Sequence, residues 1–134
     1  MVMNRRAHRR YSLVFPVSVR ISIDGQNPMF ETECVELSAD ALTLGCDETV
    51  IGALLTQAHF PRTCTLGFAP PDSTRQFDID CHVVRYRRLS RRQFHLVVMF
   101  RHFHDGSAAS LIEYLANLEQ TLNGGRTSAQ QARS

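Results

Sequence analysis

The stretch Leu13-Val14-Phe15-Pro16-Val17-Ser18-Val19-Arg20-Ile21-Ser22-Ile23 decides the fold. Its odd positions are all apolar, while Ser18, Arg20 and Ser22 hold even ones. Side chains alternate across a strand, so a period of two predicts a β-strand with one face buried and one wet. Asp24-Gly25 follows as a turn, and Pro28 keeps the connection from becoming helical. Working outward, Phe30 to Leu37 reads as a return strand of poorer alternation, and Leu42, Leu44 and Cys46 as a short third. Thr49 to Phe60 is apolar without clear period and reads as a loop or short helical turn. Cys64, Leu66 and Phe68 make a fourth strand, broken at Pro70-Pro71-Asp72. Phe77, Ile79, Cys81 and Val83 set a fifth, which runs into an arginine-rich turn near residues 87–92; Phe94, Leu96, Val98 and Phe100 return as a sixth. Six short strands without interleaved helices predict a mainly-β antiparallel barrel or sandwich. A closed barrel is favoured because it leaves no unpaired edge.

One helix follows the strands. Leu111, Ile112, Leu115, Leu118 and Leu122 recur at three to four residues and are expected to share a face, with Asp105 or Ser107 as cap and Gly124-Gly125 as stop. The stripe is expected to pack on the barrel, and it leaves a homodimer open. The resulting division is an arginine-rich arm over 1–12, a barrel over 13–104, a helix over 105–123 and a disordered tail over 124–134.

At 134 residues, 43% apolar and 21% charged, the chain suits one globular domain. No apolar run approaches the ~20 residues of a membrane-spanning helix. Cys34, Cys46, Cys64 and Cys81 are widely spaced without a CxxC pair, which suggests neither a disulfide framework nor a metal site and points to a reducing cytoplasm. All 15 basic residues are arginine, whose planar fork grips phosphate bidentately. They are segregated. Residues 1–10 carry Arg5, Arg6, Arg9 and Arg10 and no acid, whereas residues 21–61 carry seven acids and no arginine. A second knot lies at Arg85, Arg87, Arg88, Arg91 and Arg92 and reads chiefly as a solvated turn. Such segregation points to a local anion site rather than general affinity for a nucleic-acid polymer. His102-Phe103-His104-Asp105 is expected to send its two imidazoles to opposite faces, which argues against a metal there. No nucleophile, base and orienting group fall together, so catalysis is not expected.

Two motifs combine into a family pattern. Arg5/Arg9 and Arg6/Arg10 each have RxxxR spacing just before a proline-containing strand, and Glu36-Leu37-Ser38-Ala39-Asp40-Ala41 follows the second strand. Over about residues 4–122 the chain resembles the PilZ domain family, receptors for the bacterial second messenger cyclic di-GMP. The resemblance implies a six-stranded antiparallel split barrel with a C-terminal α-helix. It implies that Arg6 and Arg10, with Arg5 and Arg9 as the other register, meet the phosphates and guanines. Its (D/N)xSxxG turn maps onto Glu36, Ser38 and Ala41, with Ser38 as a hydrogen-bonding partner. Glu36 replaces Asp/Asn, Ala41 replaces Gly, and Leu96 stands where members often have Gly; a turn needing positive φ would strain Ala41. The implied function is a cytoplasmic receptor or adaptor that passes ligand binding to a downstream protein in motility or biofilm regulation. The alternative is a degenerate PilZ-like module that binds protein only.

Overall fold

The computed structural model describes residues 9–133, with side chains described over residues 9–122. Its strands are β1 (Tyr11–Arg20), β2 (Met29–Leu37), β3 (Ala41–Cys46), β4 (Thr63–Phe68), β5 (Phe77–Arg88) and β6 (Phe94–Phe103). Helix α1 (Glu48–Leu55) lies between β3 and β4, and α2 (Ala108–Arg133) follows β6. The strands close a barrel in the order β1-β2-β3-β6-β5-β4, every pair antiparallel. This is the mainly-β closed barrel with a C-terminal helix that the sequence predicts.

The alternation of β1 is the reason it forms. Tyr11, Phe15, Val17, Val19 and Ile21 point into the core, whereas Pro16 faces out opposite Glu33. Asp24 and Gly25 both take positive φ, 49° and 78°, and Ile23 and Gln26 exchange both backbone hydrogen bonds around them. A two-residue turn of this hand matches the strand twist, and glycine adopts it without a Cβ penalty. The connection between β3 and β4 does contain a helix. Asp47 caps it by accepting from the backbone N–H of Thr49 and Val50, and Val50, Ile51 and Leu54 enter the core. Gln57 then ties the chain to β4, donating to the carbonyls of Ser22 and Thr63 and accepting from Thr63 N–H.

Several boundaries differ from the sequence reading. The barrel begins at Tyr11, inside the expected arm of residues 1–12, because Tyr11 continues the buried odd face. β5 extends to Arg88, so Arg85, Arg87 and Arg88 are strand residues and the turn is confined to Leu89–Gln93, with Leu89 N–H donating to Gln93 O. Cross-strand pairing with β6 supplies the backbone order that charge-rich composition obscures. The backbone of α2 runs through Gly124-Gly125 to Arg133, over the stretch expected to be a disordered tail. Each glycine costs only about 1 kcal/mol in a helix, and the alanines, glutamines and arginines beyond are good helix formers. The apolar stripe is also narrower than expected. Leu111 and Leu115 are buried and Leu118 half-buried, but Ile112 is 55% exposed. At 3.6 residues per turn, Ile112 lies about 100° round the helix from Leu111; Tyr114 packs against the core instead and donates to the Pro71 carbonyl.

Phe15, Phe68, Phe77 and Phe103 form a chain of ring contacts across the core, at centroid separations of 5.6, 5.7 and 6.4 Å. Phe77 stands in its middle and is almost wholly buried. Phe77→Ala should therefore destabilise the domain by about 3–5 kcal/mol in urea unfolding. A loss below about 1 kcal/mol would show that the barrel does not rest on this aromatic chain.

Candidate functional site

Arg10, immediately before β1, lies beside Glu36 on β2, with Arg10 Nη1 3.8 Å from Glu36 Oε1. Both line a cleft of about 340 Å³ on the outer face of the barrel, with Val35, Thr43, Arg85, Arg87, His95 and Val97. Two irregularities build that face. The β2–β3 register shifts between Cys34 and Glu36, letting the consecutive residues Val35 and Glu36 both line the cleft. The β5–β6 register shifts between Val83 and Arg85, after which Arg85 and Arg87, two apart, lie on the same side. Arg87 pairs across to His95 and His95 across to Gly45, so β3, β6 and β5 bring their contributions side by side. The lining holds three arginines, one histidine and a single carboxylate, Glu36.

The remaining candidate residues are placed differently. Arg9 pairs with Glu119 on α2, its guanidinium carbon 5.7 Å from the Tyr11 ring centroid, and the Tyr11 hydroxyl donates to Glu119. Desolvation and that hydrogen bond both raise the Tyr11 pKa, keeping the phenol a donor. Ser38 is buried and turned inward. Its Oγ lies 2.8 Å from Asp40 Oδ1 and 3.2 Å from the Ala41 carbonyl, and it accepts from the N–H groups of Asp40 and Ala41. Ser38 thus pins the turn that ends β2 and does not line the cleft. Ala41 is the first residue of β3, paired with Met99, and is not among the positive-φ residues. The strain expected there is absent, because the chain is already extended. Arg5 and Arg6 lie outside the described residues.

A second cleft of about 470 Å³ lies over β4, β5 and the end of β6, with Arg20, Arg101, His102 and Asp80 in its lining. It is the larger of the two, but none of the motif residues among those described lines it. Contrary to expectation, His102, near the end of β6, and His104, just past it, lie on the same side, their ring centroids 6.0 Å apart, since side chains two apart in extended chain return to the same side. His104 Nε2 lies 2.8 Å from Asp80 Oδ1, and Thr65 donates to the same oxygen. Among the described residues no cluster of three metal-ligating side chains occurs. Burial pushes the Cys34 and Cys64 thiols up to about 12, with nearby carboxylates adding to it, so neither is a thiolate nucleophile at neutral pH.

Sequence reasoning anticipates Arg10 and Glu36 but treats Arg85 and Arg87 mainly as a solvated turn, and His95 escapes it. The two-residue spacing of Arg85 and Arg87 signals a shared strand face, but the register shift after Val83, which turns that face to the cleft, has no local signal. Fold and cleft together define a small closed-barrel domain with a cationic groove on its outer face.

The PilZ domain family model matches residues 4–117, and the chain belongs to that family. Among solved structures, the Bacillus subtilis inhibitor of motility MotI/DgrA is similar at 16% identity with a TM-score of 0.63, covering 89% of this chain and 52% of that one. The Borreliella burgdorferi PlzA protein, in complex with cyclic di-GMP, is similar at 17% identity with a TM-score of 0.55, covering 84% of this chain and 47% of that one. At these identities the likeness is one of fold, and the chain spans about half the length of both. No curated protein sequence matches it. No helix among the described residues is long and apolar enough to cross a membrane.

The Asp80–His104 pair makes a titration prediction. The hydrogen bond to Asp80 raises the His104 pKa above 6.5. Burial works to raise Asp80, but hydrogen bonds from His104 and Thr65 and the charge of both histidines hold it below 3.8. A raised histidine stabilises fully below its unfolded pKa and loses that contribution as pH rises through its folded value; a lowered aspartate loses its own as pH falls through its folded value. The pair therefore operates fully between about 3.8 and 6.5. In NMR titration His104 should fall back toward 6.5 in Asp80→Asn; an unmoved midpoint would mean that the pair does not form in solution.

Proposed function

We propose that this chain is a cytoplasmic receptor for cyclic di-GMP that passes ligand occupancy to a downstream protein. The observation that carries the reading is the meeting of Arg10 with Glu36 in a cleft whose other charged walls are Arg85 and Arg87. Membership of the PilZ family and the fold shared with the PlzA complex support the choice of ligand. The four free cysteines suit a reducing compartment.

In this reading Arg10 exchanges Glu36 for a phosphate or a guanine edge. The Arg10–Glu36 pair is long and its side chains are 64% and 37% exposed, so it contributes little, about 0–1 kcal/mol at most. A charge-assisted hydrogen bond to the ligand contributes about 1.5–3 kcal/mol. The exchange is therefore favourable at Arg10, and Arg85 and Arg87 add to it from the opposite wall. Arg5 and Arg6 close over the ligand from the arm, and Glu36 is left free to accept from a guanine. Ser38 serves by fixing the turn, and Ala41 fits without strain. Ligand binding rather than catalysis is the task of the site.

Isothermal titration of the full chain with cyclic di-GMP should give a defined midpoint, and Arg10→Ala should weaken it by about tenfold or more with unfolding unchanged. Equal affinity in Arg10→Ala would reject this role for Arg10. No heat at high micromolar ligand would favour the protein-only adaptor.

A further inference from the structure

Beside the nucleotide cleft runs an apolar groove of about 210 Å³ between the end of α1 and the stretch of β5 that carries Val84 and Tyr86, the side chains that alternate with Arg85 and Arg87. Leu55, Phe60, Val84 and Tyr86 line it and remain between 44% and 76% exposed. Large apolar side chains gathered in one concavity and rimmed by polar groups mark an interaction surface. The rim here has one sign. Arg62 lies 4.4 Å above the Phe60 ring, its Nε shielded and without a hydrogen-bond partner, and Arg85 closes the other side. No carboxylate lines the groove, and among the described residues none pairs with Arg62 or Arg85.

We propose that this groove docks an acidic, apolar segment of a partner protein. Apolar side chains of that segment would cover Phe60 and Val84, and its carboxylates would meet Arg62 and Arg85. The same charge disfavours a symmetric pair of this chain through the groove, since a two-fold contact would set arginines against arginines. Arg85 lines both the groove and the nucleotide cleft. On the proposed function, on which this part rests, a bound dianionic nucleotide draws Arg85 to its phosphate and adds negative charge beside the groove. Acidic partner and nucleotide then oppose one another, and ligand binding releases the partner. By linkage the partner weakens the nucleotide by the same factor.

The test is selection from a random displayed-peptide library on the full chain. The selected peptides should combine Asp or Glu with large apolar residues, and added salt should weaken them. Val84→Glu, at an exposed position, and Arg62→Glu, at a half-buried one, should each reduce peptide affinity by about tenfold or more. A chain that selects nothing, or peptides that lack acids or bind both variants as well as wild type, would overturn the docking proposal. Saturating cyclic di-GMP should weaken the best peptide by about fivefold or more in fluorescence anisotropy. Unchanged peptide affinity with the nucleotide calorimetrically bound would overturn the coupling alone. No calorimetric binding would remove the receptor reading and the coupling with it, while the groove would stand or fall on the peptides.

Discussion

The short seam between β1 and β4 is the constraint on which the rest depends. β4 pairs with only Ser18, Val19 and Arg20, at the far end of a strand that pairs with β2 along almost its whole length. The seam closes the barrel and forces every odd residue of β1 inward. It also leaves the beginning of β1 without β4 beside it. There α2 takes over: Leu111 and Leu115 join Tyr11 and Phe15 in one buried cluster, and Glu119 receives the Tyr11 hydroxyl. An unpaired strand edge invites aggregation unless something covers it, so the helix completes the fold. The same arrangement sets the arginine-bearing entry to β1 between the helix and the outer face of β2.

Closure limits what the outer face can display. A regular strand shows one side chain in two to solvent, which spaces functional groups widely. The register shift in β2 relaxes this at one wall of the cleft by bringing Val35 and Glu36 together, and the shift in β5 turns the odd positions, inward from Phe77 to Cys81, so that Arg85 and Arg87 line the other wall. Charge segregation along the chain becomes a spatial pattern by this route. Basic residues from the entry to β1 and from β5 converge on one carboxylate from β2, although about fifty residues separate Glu36 from the β5 arginines in sequence.

The fold was legible because β1, β4 and β6 obey a period of two and Asp24-Gly25 specifies its turn by backbone conformation alone. Arg10 and Glu36 were legible through motif spacing. The rest needed tertiary information. Nothing local says that β5 continues through its arginines, since the ladder with β6 holds it extended. The inward orientation of Ser38 depends on the carbonyl of Ala41 and the carboxylate of Asp40 arriving within reach of its hydroxyl. Ile112, expected on the packed stripe, turns to solvent while Tyr114 packs against the core, because the rotation of α2 about its axis is set by the barrel beneath it.

Arg9 and Arg10 bring these constraints to a single point. Arg9 turns to Glu119 on α2, and Arg10 turns to Glu36 on β2. Consecutive side chains in extended backbone leave on opposite sides, so both cannot face the cleft while the entry to β1 stays extended. A ligand that engages Arg10 alone can leave the helix contact intact. A ligand that also claims Arg9 competes with Glu119 for its guanidinium, while the Tyr11–Glu119 bond still ties β1 to the helix. The side-chain order of two adjacent residues thus divides the entry to β1 between the helix and the cleft.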